Sequence, residues 1–309
     1  KTLAEYGKTY YSKKSYNNHI GVPLSLCNLE HDHKYGIFEV GMSHAGEIRR
    51  LSSLVKPDIA IITNISEAHI ENFDNLNSIA KAKSEIIENI NEGGHLILNR
   101  DDKYFNYFSK LAKKRKINVL SFGKSSKANA KLIRNKEYDN YNNIHVRILD
   151  KNIYLKVKNA NSLIISNIFF TLLTIHILEL DFSKIINFSN HLQLVEGRGK
   201  MQSISRYKKK FRLIDESYNA NPSSVKNAIN NFSNIKKNNG KKFLLLGDML
   251  ELGKESDKYH KNLAHFINHS DIDKLFVYGK NALKTYQKTY KSKQGNILQN
   301  LNDFDEIFS

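Results

Sequence analysis

Short apolar runs alternate with stretches of helical spacing through the first two-thirds of the chain. Each apolar run predicts a buried strand, and the stretches between several of them have the three-to-four-residue spacing of amphipathic helices. The predicted strands are Tyr35 to Val40, Asp58 to Thr63, His95 to Asn99 and Ile117 to Phe122. This alternation indicates an α/β protein with a doubly wound sheet.

The pattern changes after the last of these strands. Between Ala128 and Lys158, polar Asn-rich turns separate the runs His145 to Leu149 and Ile153 to Val157. Short β-like runs with turns between them predict β-hairpins appended to the sheet. A helical run, Leu163 to Leu178, then closes the first unit.

A second unit is predicted to begin near Gly197-Arg198-Gly199-Lys200, where two glycines suit a hinge. Strands and helices then alternate again through the apolar runs at Phe211, Phe243 and Phe276. With 309 residues, of which 40% are hydrophobic, the chain can bury two cores. We predict a central domain over residues 1–197 and a Rossmann-like α/β domain over residues 198–309.

Composition narrows the class of protein. No stretch approaches roughly eighteen consecutive apolar residues, so no membrane span is expected. Lys1 to Lys8 has no apolar core of the kind a signal peptide needs, which favours a cytoplasmic protein. The single cysteine, Cys27, cannot form an internal disulfide and has no metal-ligand spacing around it, so a structural thiol is expected.

The net charge of +17, from 48 Lys and Arg against 31 Asp and Glu, makes nucleic-acid binding a hypothesis. The basic residues are spread over predicted helix faces and loops such as Lys113-Lys114-Arg115-Lys116, without regularly interleaved aromatic side chains. The many Asn and Ile residues and the absence of Trp are typical of an A+T-rich genome, which accounts for the lysines. We therefore expect no nucleic-acid partner. A monomer is also expected.

Polar side chains follow two predicted strands of the second unit. The run ending at Ile214 leads into Asp215-Glu216-Ser217-Tyr218-Asn219-Ala220-Asn221-Pro222, and the run ending at Leu246 leads into Gly247-Asp248-Met249-Leu250-Glu251-Leu252-Gly253. Asn221 is a good N-cap and Pro222 suits a first helical turn. Open α/β sheets bind ligands beyond the carboxyl ends of their strands, so the two loops together predict a site. Each loop alone also fits an ordinary capped turn.

Three side chains of the first unit stand out by position. Glu39 ends an apolar strand, where a buried carboxylate is either ion-paired or bound to a metal. His69 follows another strand, although a lone histidine is more often structural. Lys83 lies at the centre of the apolar stripe of the predicted helix Leu76 to Ile90, with Lys81 nearly opposite. A snorkelling lysine and a functional one both fit that position.

The two polar loops closely resemble those of the Mur ligases, the family that builds the bacterial peptidoglycan precursor. In the branch that joins D-alanyl-D-alanine to UDP-MurNAc-tripeptide, the loops read D-D-x-Y-N-A-N-P and G-D-M-x-E-L-G. The resemblance implies an ATP-dependent carbon–nitrogen ligase. The γ-phosphoryl group would pass to the terminal carboxylate of the tripeptide, and the amine of D-alanyl-D-alanine would attack the acyl phosphate.

The resemblance also implies a magnesium site. Glu39 and His69 match the acid and the histidine with which the family holds its catalytic Mg²⁺. Lys83 matches the lysine of the family's K-A-K-x-E motif, which becomes a carbamate and helps to hold a second Mg²⁺. Lys81 is then a solvated helix charge. Lys83, His69 and Arg198 are the catalytic residues that the resemblance implies.

Nucleotide contacts follow by the same comparison. Asn167 matches the family asparagine that reads adenine, although the G-x-H-N that usually contains it is altered here. Arg198 matches the hinge arginine that reaches the terminal phosphates of ATP, a role that suits a planar fork of donors. The remaining expected contacts are Asp215, which would hold the ribose hydroxyls, and Tyr218, Asn219 and Asn221 beside the nucleotide.

Substrate contacts are implied at two places. Asn18 belongs to the string Asn17-Asn18-His19-Ile20-Gly21-Val22-Pro23, which resembles a family loop on the muropeptide side of the cleft. Asp248, Glu251 and His260 lie where the second domain would meet the incoming dipeptide or the nucleotide. Asn99-Arg100-Asp101-Asp102 also resembles a family string, but it fits a strand end and turn, and we leave it outside the site.

The glycine-rich phosphate loop of the family is missing from the sequence. Gly7-Lys8-Thr9 is similar to it but follows a helix-like start and runs into Tyr10-Tyr11, so we interpret it as a chance match. We expect a chain truncated at both ends whose residues 1–309 alone do not turn over ATP.

Three alternatives stay open. One is another ligase of the superfamily, which adds a single amino acid or, like the folylpolyglutamate enzymes, glutamates. The string Tyr218-Asn219-Ala220-Asn221-Pro222 argues against it. The others are a basic nucleic-acid-binding protein and a non-catalytic relative that keeps the fold.

Overall fold

Two compact units make up the chain. The computed structural model describes residues 1–138, 141–158, 162–188, 197–206, 209–237, 240–300 and 303. One unit comprises Lys1–Ile65 and Asn75–Leu192, and the other comprises Ser66–Asp74 and Gln193–Ser309. The short segment 66–74 therefore belongs by its contacts to the second unit, although it lies early in the sequence.

The first unit contains two sheets. The smaller sheet pairs β1 (Thr9–Tyr11) with β2 (Tyr35–Ile37) in parallel. The larger sheet has six strands in chain order, parallel from β3 to β6 and antiparallel from β6 to β8. Its strands are β3 (Ile59–Ile62), β4 (His95–Asn99), β5 (Asn118–Phe122), β6 (Ala130–Glu137), β7 (Asn142–Ile148) and β8 (Lys151–Val157). The predicted hairpin is confirmed as β7 and β8.

The match of Gly7-Lys8-Thr9 to a phosphate loop is a chance one. Thr9 begins strand β1, so the tripeptide leads into a strand, whereas a phosphate loop must lead into a helix. The Lys8 ammonium lies 2.7 Å from the Asp32 carboxylate and also pairs with Glu30.

Helices cover the first unit's sheets and bury their apolar faces. They are α1 (Gly21–Cys27), α2 (Glu47–Val55), α3 (Leu76–Ser84), α4 (Phe105–Lys114), α5 (Ser162–Ile177) and α6 (Phe182–Phe188). The core around β3 and β4 includes Leu96, Leu98, Ile87 and Phe108, all at most 2% exposed. Each such side chain contributes roughly 2 kcal/mol by leaving water.

Helix α3 is shorter than the predicted helix Leu76 to Ile90. It ends at Ser84 and continues as a 3-10 turn, Glu85–Asn89. The change occurs where the buried Glu85 carboxylate accepts hydrogen bonds from the backbone N–H groups of Gly46 and Arg49, at 2.8 and 3.0 Å. The predicted stripe nevertheless holds, because Ile79 is buried and Lys81 is exposed.

The second unit is also built from strands and helices. Its antiparallel pair is β9 (Lys200–Arg206) with β10 (Lys209–Asp215). Three parallel strands form a second sheet in the order β11 (Phe243–Leu246), β12 (Lys274–Tyr278), β13 (Gln294–Leu298). The helices are α7 (Pro222–Asn234), α8 (Ser256–Asn268) and α9 (Ala282–Lys288). The predicted α/β class is confirmed, and within the described ranges no helix is long and apolar enough to cross a membrane.

Candidate active site

Glu39 lies just beyond β2, which ends at Ile37, three residues before the predicted strand end. Its carboxylate is exposed, so the expectation of a buried acid is wrong. The Asn17 amide nitrogen donates to Glu39 Oε1 at 2.8 Å, and the Gly41 N–H donates to the Asn17 carbonyl at 2.8 Å. Among the described residues no cation pairs with Glu39 within 4.0 Å. The carboxylate is oriented by an amide and open to solvent.

Lys83 occupies an environment that disfavours its charge. The side chain is half-buried, and desolvation lowers the pKa of its ammonium, which the negative charge of Asp102 partly opposes. Asp102 is itself fixed, because its two carboxylate oxygens accept hydrogen bonds from the N–H groups of Ile65 and Tyr104, each at 2.8 Å. A larger fraction of Lys83 is therefore neutral than in water.

His69 belongs to segment 66–74 of the second unit, whereas Glu39 and Lys83 belong to the first. Its backbone is left-handed, with φ +58°. The ring nitrogen Nδ1 forms a hydrogen bond with the Glu251 carboxylate, 182 residues later in the chain. The convergence of Glu39, His69 and Lys83 on one metal site stays a prediction.

Arg198 lies in a turn that packs on the polar loop after β10. The Gly199 N–H donates to the Asp215 carbonyl at 2.7 Å, and the Tyr218 N–H donates to the Gly197 carbonyl at 3.1 Å. Gly197 has φ +73°, and a Cβ there would lie 2.9 Å from the Tyr218 Cβ, so glycine is required. The Arg198 guanidinium carbon lies 4.3 Å from the Tyr218 ring centroid, a cation–π geometry.

Several side chains of the loop after β10 are bonded to near neighbours in the sequence. The Ser217 hydroxyl and N–H donate to the Asp215 carboxylate and hold its pKa below the ordinary value. Asn221 Oδ1 accepts the Ser224 N–H at 2.9 Å, and the Ser224 hydroxyl accepts the Asn221 N–H at 2.9 Å. The N-cap predicted at Asn221 is confirmed, with Pro222 opening α7. Asn219 is exposed.

The loop after β11 depends on more distant partners. Asp248 Oδ1 accepts the N–H groups of Asn281 and Ala282, at 2.9 and 2.7 Å, where α9 begins. His260 is fully buried; its Nε2 accepts the Met249 N–H at 3.0 Å and its Nδ1 donates to the Ser256 carbonyl at 2.8 Å. These bonds fix the loop backbone. A substrate role for Asp248 stays a prediction.

Two predicted contact residues of the first unit, Asn18 and Asn167, lie at a helix start and on a helix. Asn18 Oδ1 accepts the N–H groups of Ile20 and Gly21, at 3.1 and 2.9 Å, at the point where α1 begins. Asn167 is exposed on α5. It lies in the first unit, whereas Arg198 and Asp215 lie in the second, so the predicted nucleotide contacts come from both units.

Sequence reasoning missed two residues. Asn17 orients Glu39, whereas the sequence analysis names only its neighbour Asn18 as a contact residue. Asp102 acts on the Lys83 ammonium, and its string was left outside the site. The doubled asparagine and the acid pair after β4 were the available signals.

The chemistry of two predicted ligands of the first unit fits a hard divalent cation. Glu39 offers an exposed carboxylate, and a carbamate on Lys83 would offer oxygens of the same kind, which are the ligands that Mg²⁺ prefers. His69 keeps Nε2 without a hydrogen-bond partner in the part of the chain that the structure describes.

The two α/β units match family models one after the other. Residues 1–175 match the Mur ligase middle domain, and residues 199–308 match the Mur ligase, glutamate ligase domain. The chain belongs to the Mur ligase family.

Its relatives indicate the branch. A UDP-N-acetylmuramoyl-tripeptide–D-alanyl-D-alanine ligase of Rickettsia prowazekii is 35% identical over 271 residues, 87% of this chain and 59% of that protein. The ligase of the same name from Bacillus subtilis is 31% identical over 288 residues, 89% of this chain and 59% of that protein. The chain thus spans about three-fifths of the length of these relatives.

Solved structures show the same fold. MurF from Acinetobacter baumannii superposes with a TM-score of 0.88 at 24% identity, covering 99% of this chain and 65% of that one. MurF from Thermotoga maritima, solved in complex with ADP, gives 0.85 at 23% identity, covering 99% and 68%.

Proposed function

We propose that this chain belongs to an ATP-dependent ligase that joins D-alanyl-D-alanine to UDP-MurNAc-tripeptide. The observation that carries the proposal is the polar loop Asp215 to Asn221, whose sequence marks this branch and whose backbone holds Arg198 against Tyr218. The names of the R. prowazekii and B. subtilis relatives support the same reaction.

In this proposal the second unit binds part of the nucleotide. Arg198 packs over the Tyr218 ring and is exposed to solvent, so its planar guanidinium is accessible to the terminal phosphates. The bonds from Ser217 hold the pKa of Asp215 below its ordinary value, and the carboxylate can accept from ribose hydroxyls. Asn167, Tyr218, Asn219 and Asn221 complete the proposed nucleotide contacts, with Asn18 and Asp248 toward the other substrates.

Lys83 is the proposed carbamate. Its lowered pKa favours the neutral amine, the form whose nitrogen attacks CO₂; a nitrogen–carbon bond forms and one proton is released. The product carries a negative charge in place of a cation. Glu39, His69 and this carbamate would hold two Mg²⁺ ions, which when bound would neutralise charge on the phosphates.

The direct test uses the complete gene product with ATP and UDP-MurNAc-tripeptide, and measures phosphate release with different amine substrates. We expect release with D-alanyl-D-alanine and little with single amino acids. Release that requires a single amino acid or glutamate would assign the protein to another branch. No ATP-dependent release with any amine would favour a non-catalytic relative.

Lys83→Ala tests the carbamate. Turnover should fall roughly 100-fold or more, because one fixed charge at the phosphates is lost. A short-chain carboxylic acid should restore part of it. Lys81→Ala is the matched control, since Lys81 is exposed on the same helix and should be neutral to turnover. Equal effects of the two substitutions would mean that Lys83 only snorkels.

Arg198→Ala should lower turnover at least tenfold with little loss of stability, because the side chain is exposed and its ring contact is worth about 0.5–1 kcal/mol. Arg212→Ala, on the exposed side of β10, is the control. Parallel losses of turnover and stability in Arg198→Ala would point to a structural role.

A further inference from the structure

Segment 66–74 is bound to the loop after β11 by several independent contacts. The Glu71 N–H donates to the Glu251 carbonyl at 3.1 Å, and Ile70 packs against the apolar core of the second unit. The His69 ring contacts the Glu251 side chain. Backbone, apolar and polar contacts thus fix the position of His69.

Both residues of the His69–Glu251 contact have an unusual backbone conformation. His69 and Glu251 both adopt the left-handed conformation, at φ +58° and +59°, which non-glycine residues rarely do. Gly253 has φ +56°, and a Cβ there would lie 3.3 Å from the Glu71 Cα. Two strained residues at one contact indicate that the surrounding structure holds the His69 ring and the Glu251 carboxylate together.

The hydrogen bond selects one form of the imidazole. A carboxylate can only accept, so a neutral His69 must carry its proton on Nδ1. Nε2 then has a free lone pair and, within the described ranges, no hydrogen-bond partner. Histidines that bind metals commonly donate their other ring N–H to a carboxylate, which fixes the ring and raises its basicity.

We propose that Glu251 is a positioning residue that holds His69 in the Nδ1–H form and leaves Nε2 available as a metal ligand. The proposal rests on the proposed function, in which His69 holds Mg²⁺. It gives the glutamate of the loop after β11 a task other than contact with the incoming dipeptide. It also means that His69, early in the chain, depends on Glu251 of a loop much later in the sequence.

Nitrogen-15 NMR of the histidine rings in residues 1–309, without metal and at a pH where the imidazoles are neutral, tests the proposal. We expect His69 protonated on Nδ1 in the parent chain. In Glu251→Ala the half-buried ring should shift to the Nε2–H form that imidazole prefers in water, and Glu251→Gln should keep Nδ1–H because its carbonyl still accepts. His69→Gln identifies the signal.

His260 provides an internal control. Its Nδ1–H form is fixed by Ser256 and Met249 and should not respond to position 251. If Glu251→Ala fails to fold, as an altered His260 signal would show, Glu251→Asp replaces it and should also lose the Nδ1–H form through its shorter reach. A His69 ring protonated on Nε2 in the parent chain, or unchanged in the variants, would overturn the proposal.

Kinetics of the complete gene product separate positioning from substrate contact. Glu251→Ala should raise the half-saturating Mg²⁺ concentration roughly 10- to 100-fold, with Glu251→Gln in between and kcat at saturating Mg²⁺ changed only a few-fold. A raised KM for D-alanyl-D-alanine with an unchanged Mg²⁺ requirement would overturn the proposal. If the parent protein shows no ligation, the proposed function fails, while the ring spectra still decide the role of Glu251.

Discussion

The two polar loops of the second unit look alike in the sequence and are held in different ways. In the loop after β10, Asp215 bonds Ser217 and Asn221 bonds Ser224, partners two and three residues away. In the loop after β11, Asp248 bonds the backbone 33 and 34 residues later. Glu251 bonds a histidine 182 residues earlier.

The difference indicates how far each loop depends on residues that are distant in the sequence. A loop whose polar groups are satisfied locally keeps its shape wherever its strand and helix form. A loop held by remote partners is correct only when the whole unit is folded, so substitutions far from it in sequence should disturb it. The loop after β11 is therefore the more sensitive of the two to changes elsewhere in the second unit.

The largest expected effect falls on the loop after β11. His260→Ala removes a fully buried ring with both nitrogens bonded, which should cost about 3 kcal/mol. Hydrogen exchange should show faster exchange of the Met249 amide, while the Ser224 amide of the other loop keeps its protection. Equal losses of protection at the Met249 and Ser224 amides would contradict the proposed difference between the loops.

Asp248→Ala should destabilise the second unit by about 1.5 kcal/mol, because it removes the acceptor of two N–H groups at the start of α9. The amides of Asn281 and Ala282 should exchange faster. Asp248→Asn is the control, since its carbonyl oxygen can accept the same bonds. Protected Asn281 and Ala282 amides in Asp248→Ala would show that the cap is dispensable.

In the loop after β10 the expected effect is smaller and local. Asn221→Ala should cost about 1 kcal/mol through loss of the α7 cap, with faster exchange of the Ser224 amide. Asn219→Ala is the matched control, because Asn219 is exposed and its side chain has no hydrogen bond among the described residues. A larger cost for Asn219 would contradict the local account.

The smallest expected effect is a pH dependence. The pKa of Asp215 lies below its ordinary value because Ser217 donates to the carboxylate. The hydrogen bonds to the ionised Asp215 therefore stabilise the folded chain fully at pH values above the ordinary pKa of an aspartate. This stabilisation is lost as the pH falls through the lowered pKa of the folded state. Unfolding measured from about pH 5 to pH 2.5 should be less pH-dependent in Asp215→Asn than in the parent chain. Identical pH profiles would exclude the Ser217 contribution.

Local patterns were sufficient for much of the fold and for one loop. The apolar runs located β4, β5 and β12, and the Asn221-Pro222 pair located the start of α7, because strand burial and capping depend on neighbouring residues. The apolar stripe placed Lys83 and Lys81 on opposite sides of α3. Glu85 ended that helix early by bonding to α2, a partner that no local pattern reveals.

The sequence by itself determined the α/β class, several of its strands, the capped loop after β10 and the position of Lys83 on an apolar stripe. Only the tertiary structure decided that Glu39 is exposed and oriented by Asn17, and that Glu251 holds His69. The physical reason is range. Periodicity and capping act over a few residues, whereas a hydrogen bond between residues 182 apart forms only after the backbone between them has folded.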